Sequence, residues 1–253
     1  MRLWHGLWLA IGTLSIFPAR VERVDREVAG HAMALAPAVG LALGLVAGLP
    51  LLLPGPPLLG AALAVGLLAV LTRGLHLDGL ADLADGLGSG KPAAEALDIM
   101  KKSDIGPFGV MTLVLTLVIQ VIAAADAGFA AFVTACVAGR LALTWACRAG
   151  VPAARPDGLG AMVAGTVRRP AVWLVTLITL LGVAVLAMGV LPDDDPVAWG
   201  QIVLPLGLLA GLGAALLLLR HARRRLGGIT GDVLGALVET ATATALVVYA
   251  ILA

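Results

Sequence analysis

The chain has 253 residues, of which 60% are hydrophobic and 13% charged, with a mean hydropathy of +1.02. A soluble domain carries about 25% charged residues, so this composition excludes an ordinary soluble fold and points to an all-α, polytopic helix bundle in a membrane. A net charge of +1 and a single tyrosine, Tyr249, exclude a basic, aromatic-lined nucleic-acid surface.

Residues 1–17 carry Arg2, an apolar run and then Pro18, a faint likeness to a signal peptide; the basic stretch that follows and the many later apolar segments read as a retained terminus. Residues 3–17 are short of the roughly 20 needed to span a bilayer. A tilted span, a re-entrant piece and an interfacial helix all stay open there. A charged linker follows at Arg20, Glu22, Arg23, Asp25, Arg26 and Glu27. Seven spans are then expected, at residues 32–53, 58–75, 108–125, 127–147, 171–191, 197–219 and 234–252. The third and fourth form a hairpin with almost no loop, its tip at Asp126. The whole reads as a single membrane-embedded catalytic domain, with polar connections at residues 76–107, 148–169 and 220–233.

Charge placement orients this map. The outer connections, at residues 50–57, at Asp126 and at residues 192–196, contain no Lys or Arg. The inner ones collect Arg20, Arg23, Arg26, Lys91, Lys101, Lys102, Arg148, Arg155, Arg168, Arg169, Arg220, Arg223, Arg224 and Arg225. That is the positive-inside bias, and it places the polar connections in the cytoplasm and the C-terminus outside. Within the spans, Gly40, Gly44 and Gly48 form a stripe suited to close helix packing or to a smooth wall beside a bulky substrate. Cys136 and Cys147 lie about 16 Å apart on a continuous helix, too far for a disulfide, and read as core residues.

Three polar clusters fall on the cytoplasmic side. The first holds His76, Asp78, Asp82 and Asp85. On a helix the three acids share one face and repel one another. A divalent cation, Mg²⁺ by its preference for oxygen ligands and phosphates, would relieve that repulsion; solvated loop acids are the plainer reading. His76 points elsewhere, as a proton shuttle or an interfacial histidine. Arg73 lies just before this cluster. The second cluster, around Lys101, Lys102 and Asp104, precedes a Gly-Pro turn; its lysines are phosphate ligands or interfacial cations. The third runs through Thr230, a candidate cap, and Asp232 to Glu239, an acid inside an apolar span and so a candidate functional residue. A Glu239–Arg140 pair joining two spans is the alternative. The sequence GLGSGK at residues 86–91 suggests a phosphate loop, but Asp85 and Pro92 break that pattern.

HLDGLADLADG (residues 76–86), EALDIMKKSDIGPFGV (residues 95–110) and GGITGDVLGALVE (residues 227–239) resemble the three signatures of the bacterial cobalamin synthase family, the adenosylcobinamide-GDP ribazoletransferases. The likeness runs over essentially the whole chain and is weakest at residues 148–195, where it rests on hydropathy. It implies a Mg²⁺-dependent enzyme of the bacterial inner membrane with its active site on the cytoplasmic side. Such an enzyme joins adenosylcobinamide-GDP to α-ribazole, or to its 5'-phosphate, and releases GMP. It also implies Asp78, Asp82 and Asp85 as metal ligands and Arg73, Lys101 or Lys102 as phosphate contacts. For the catalytic groups it leaves Asp85, His76, Asp104, Asp232 and Glu239 as candidates. A homo-oligomer, or an assembly with other enzymes of the pathway, is compatible with it.

Two rivals belong to other classes. A secondary transporter would place its ionisable groups near the bilayer midplane and show two matching halves; here the acids gather at one surface. A phospholipid-type phosphotransferase would carry DGxxAR, and Asp82 stands where that arginine would be.

Overall fold

The computed structural model describes residues 2–19, 24–190 and 199–252. Arg20, Glu22, Arg23 and the 192–196 connection therefore lie outside the described residues. The elements in order are α1 (Arg2–Leu14), α2 (Arg26–Ala34), α3 (Ala36–Ala47), a 3₁₀ turn (Leu49–Leu52), α4 (Pro57–Leu71), α5 (Leu75–Gly88), α6 (Ala93–Ile99), α7 (Pro107–Ala146), α8 (Gly158–Val163), α9 (Arg169–Val190), α10 (Trp199–Leu226) and α11 (Gly231–Leu252). Four of these helices are long and apolar enough to cross a membrane, or up to six if each of two bent pairs counts as one span. The chain is an all-α, polytopic membrane bundle.

Two of the expected spans are interrupted. Residues 32–53 divide at Leu35, where α2 and α3 meet at 47°. Pro37, in the first turn of α3, has no N–H and its ring would clash with the carbonyl four residues back, so the helix cannot run through. The second expected span, residues 58–75, closes early. The Gly74 N–H donates to the Ala69 carbonyl (2.8 Å) and the Arg73 N–H to that of Val70 (3.0 Å), the paired bonds of a Schellman stop. Arg73 takes the left-handed position that this stop usually gives to glycine (φ 56°). Beyond it α5 turns 88° away from α4, and so adds no length to that span.

Helix α7 is 40 residues long, about 60 Å if straight and twice the thickness of a bilayer core. It is not straight. Gly128 has φ 78° and ψ −172°, outside the helical region. Gly109 bonds to Asp85 and Arg140 meets His76; those partners are about 13.5 Å apart on α5, whereas Gly109 and Arg140 on a straight helix would be about 46 Å apart. The two limbs therefore double back at Gly128, two residues beyond the expected tip.

The second limb of α7 and helix α11 form the buried centre, with α3, α5 and α10 packed around them. The Gly40 stripe serves packing. A Cβ on Gly40 would meet the Cys136 carbonyl at 2.6 Å, one on Gly44 the Val133 Cα at 3.0 Å, and one on Gly48 the Phe129 ring at 3.0 Å. Gly207 and Gly211 likewise admit Tyr249 and the Ala241 carbonyl of α11. Cys136 and Cys147 are free and buried, as expected. Helix α1 has 13 residues, too few to span upright, and its Gly6 lies against His31 of α2.

Candidate active site

The site begins where α5 crosses the start of α11. A Cβ on Gly79 would lie 2.9 Å from the Cα and from the carbonyl oxygen of Asp232, and one on Gly235 would lie 3.0 Å from the His76 carbonyl. Only glycines let the two backbones touch there, and that contact sets Asp78 and Asp82 beside Asp232. Thr230 caps α11: its Oγ1 accepts from the Val233 N–H (3.2 Å), and its hydroxyl donates to Asp232 Oδ2 (3.2 Å).

The 148–168 connection closes the other side. The Ala154 N–H donates to the Ile229 carbonyl (2.9 Å) and the Ile229 N–H to that of Pro152 (3.0 Å). This short backbone pairing holds Arg155 with Nη1 3.7 Å from Asp232 Oδ2. Arg155 Nη2 donates to the Leu97 carbonyl before α6 ends, and its buried Nε has no hydrogen-bond partner among the described residues. A cavity of about 340 Å³ results. Its polar lining is His76, Asp78, Lys101, Arg155, Asp157, Thr230 and Asp232, and its apolar lining includes Leu75, Met33 and Leu143.

The acids press on one another. Burial, and then the charges of Asp78, Asp232 and Asp85, push the Asp82 carboxyl up to about 7, with Arg155 opposing them. Among the described residues no three His, Cys, Asp or Glu side chains form a group able to hold a metal by themselves. Mg²⁺ needs no such cage: it is usually bound through one or two carboxylates together with substrate phosphates. A set of facing carboxylates beside two cations fits an ion of that kind.

The residues singled out in the sequence divide. Lys101, Asp78, Asp232 and His76 line the cavity; Asp82 does not line it, but feels the charges of Asp78 and Asp232. Asp85 is buried, and both its oxygens are engaged at the start of α7: the Gly106 N–H donates to Oδ2 (2.7 Å) and the Gly109 N–H to Oδ1 (2.9 Å). His76 Nδ1 lies 3.4 Å from Arg140 Nη2. Because a guanidinium only donates, that contact needs a neutral ring with its proton on Nε2. Glu239 accepts from Gln120 Nε2 (2.8 Å) in the bundle interior, about 10 Å along α11 from Asp232. No carboxylate among the described residues lies within ion-pair distance of Arg140, so the Glu239–Arg140 pair gives way to a Glu239–Gln120 bond. Arg73 reaches the Gly12 carbonyl of α1 (3.3 Å). Lys102 and Asp104 are exposed and do not line the cavity.

The family profile described as cobalamin-5-phosphate synthase matches residues 6–250. The chain belongs to this family. Proteins named adenosylcobinamide-GDP ribazoletransferase are similar throughout. The one from Frankia casuarinae is 44% identical, covering 95% of this chain and 92% of its own length. That from a Nocardioides species is 41% identical over 95% and 96%, and that from Brucella ovis 36% over 94% and 93%. No solved structure matches the chain.

For this cobalamin-5-phosphate synthase family member, the cavity also holds two residues that the sequence motifs do not single out, Arg155 and Asp157. They sit in the connection where the likeness to the family is faintest. The available signal was an Arg-Pro-Asp-Gly run on the cytoplasmic side, in which the proline and glycine mark a turn and both charged residues face the same connection.

Proposed function

We propose that the chain transfers the adenosylcobinamide-phosphoryl group of adenosylcobinamide-GDP to α-ribazole or its 5'-phosphate, in a Mg²⁺-dependent reaction at the cytoplasmic membrane surface. The observation that carries this reading is the cavity itself: Asp78 and Asp232 line it beside Lys101 and Arg155, and Asp82 lies within their electrostatic reach. In the reaction a ribose hydroxyl of the ribazole bonds to the phosphorus bearing the cobinamide, and the bond to the GMP oxygen breaks. Two of Asp78, Asp82 and Asp232, together with substrate phosphates, would hold Mg²⁺, which when bound supplies positive charge against the attacked and leaving phosphates.

The protein's own part is positioning. Lys101 meets phosphate oxygens as a point charge, and Arg155 presents a fork already fixed by Leu97 and Asp232. Thr230 holds Asp232 in the orientation that faces α5. Asp157, the remaining carboxylate of the lining, accepts the proton of the attacking hydroxyl. His76 is poorly suited to that task while its Nδ1 faces Arg140. Asp85 positions α7 rather than touching substrate. A volume of about 340 Å³ accommodates a diphosphate and a ribose, leaving the much larger corrin ring at the mouth.

Seven spans fit this architecture: α2 with α3, α4, the two limbs of α7, α9, α10 and α11. The inner ends then carry the clustered arginines and lysines.

Turnover of the purified protein with adenosylcobinamide-GDP and α-ribazole tests the reading. Equimolar corrinoid product and GMP, both lost on chelation of Mg²⁺, are expected. A folded, monodisperse sample that forms neither would overturn it.

A further inference from the structure

A second cavity, of about 640 Å³, opens at the C-terminal end of α10, and the active-site lining does not include its residues. Four guanidiniums line it, those of Arg148, Arg220, Arg223 and Arg224, together with Leu216 and Leu217. No acidic side chain lines it, and among the described residues none of these arginines has a carboxylate within ion-pair distance. The residues at 220, 223 and 224 share one face of α10. Two of the arginines are fixed in place. Arg148 Nη1 donates to the Trp145 carbonyl (2.6 Å) with its guanidinium over the Trp145 ring, and Arg223 Nη2 donates to the Gly150 carbonyl (3.3 Å). The cations feel each other: burial, and then Arg223 and Arg169, lower the pKa of Arg148.

The positive-inside bias accounts for arginines at this end of the bundle, but scattered, solvated arginines would satisfy it equally well. Convergence of four on one unneutralised cavity opposes itself electrostatically unless an anion occupies it. The apolar part of the lining decides which anion. Leu217 is 70% exposed, and it lies one turn before Arg220 on a span whose earlier face is apolar. A ligand here meets acyl-chain depth and headgroup depth at once.

We propose that this cavity binds the phosphodiester headgroup of an acidic phospholipid of the inner leaflet, with its acyl chain lying along Leu216 and Leu217. Guanidiniums grip phosphate oxygens in paired fashion, and basic pockets at the cytoplasmic ends of spans suit such headgroups. The backbone pairing of Ala154 with Ile229 links the residues beside the cavity to those lining the active site, so a bound lipid would also brace the connection that carries Arg155.

The test is native mass spectrometry of delipidated, detergent-solubilised protein titrated with phosphatidylglycerol or phosphatidylcholine, comparing wild type with Arg220→Gln/Arg224→Gln. These two side chains make no hydrogen bond to the protein among the described residues, and an unchanged melting temperature in phosphatidylcholine confirms that the variant is folded. Wild type is expected to retain phosphatidylglycerol preferentially. The variant should lose roughly 25-fold of that preference, about fivefold for each arginine at headgroup level. Inorganic phosphate or GMP at millimolar concentration should leave the lipid adduct in place. No preference in wild type, an undiminished preference in the folded variant, or displacement of the lipid by free phosphate or GMP would each overturn the proposal.

Discussion

Asp78 and Asp85 lie seven residues apart on one face of α5, yet their carboxylates meet different partners. Asp78 opens onto the cavity, while Asp85 is buried on the N–H groups of Gly106 and Gly109. The two substitutions should therefore fail differently. Asp78→Asn removes a charge from a solvent-facing side chain and is expected to leave the melting temperature in detergent nearly unchanged, while turnover falls at least about a hundredfold, the upper range for loss of a supporting metal partner. Asp85→Ala leaves two N–H groups at the start of α7 unsatisfied. It should cost about 1–2 kcal/mol of stability and lower the melting temperature, with a smaller loss of turnover in the folded fraction. Equal turnover loss without destabilisation in Asp85→Ala would return it to the metal shell. Arg155→Lys keeps the charge and loses the fork that spans Leu97 and Asp232; a rise in KM for the GDP-bearing substrate of about tenfold or more is expected, and unchanged steady-state kinetics would remove Arg155 from the phosphate contacts. The division between Asp78 and Asp85 was not legible from spacing. The partners of Asp85 stand 21 and 24 residues further along the chain, and no local rule connects them to it. Arg155 was hidden for a similar reason: it has no periodic pattern around it, and a two-bond backbone pairing with Ile229 decides its place.

At the scale of elements, the α5–α11 crossing fixes the distance between the acids. Gly79→Ala would put a methyl against backbone atoms of Asp232 at 2.9 Å, and backbone cannot rotate out of the way as a side chain can. The helices must part, and displacement of about 1 Å in a positioned site can cost about a hundredfold in rate. Gly79→Ala is thus expected to reach the membrane in normal amount and to lose most of its turnover. Activity within about twofold of wild type would show that the acids need not be held by this contact. The same helices show what a sequence reading can reach. Acids at a spacing of four and three made α5 recognisable as a helix, and Thr230 was recognisable as a cap. The break at Leu35 followed from Pro37, a residue with a known effect on helices, but the long apolar run of residues 32–53 outweighed it. The early end of α4 was harder to see, because an arginine occupies the left-handed position where a glycine would have announced the stop.

For the whole molecule, the doubling back of α7 at Gly128 determines which way every later helix runs. The alternation of basic and base-free connections predicts Asp126 outside and the α6 region inside. The Gly109–Asp85 and Arg140–His76 contacts agree with that, since both ends of α7 return to α5 at the same end of the bundle. The multi-pass helical character was the most legible part of the sequence at this scale, because it depends on sums over many residues rather than on the placement of one; the side that each connection faces is an expectation. Thiol labelling in cells checks it directly. The native Cys136 and Cys147 are fully buried, so a membrane-impermeant maleimide should leave both untouched. Asp126→Cys is expected to label in intact spheroplasts, and Asp98→Cys, on the exposed face of α6, only after the membrane is opened. Labelling of Asp98→Cys from outside would invert the bundle, moving the cavity and its phosphorylated substrates to a compartment where neither is supplied. Labelling of both from the same side would mean that α7 does not return at Gly128 as two spans. The crossing that joins Asp78 to Asp232 would then have to be rebuilt from a different set of neighbours.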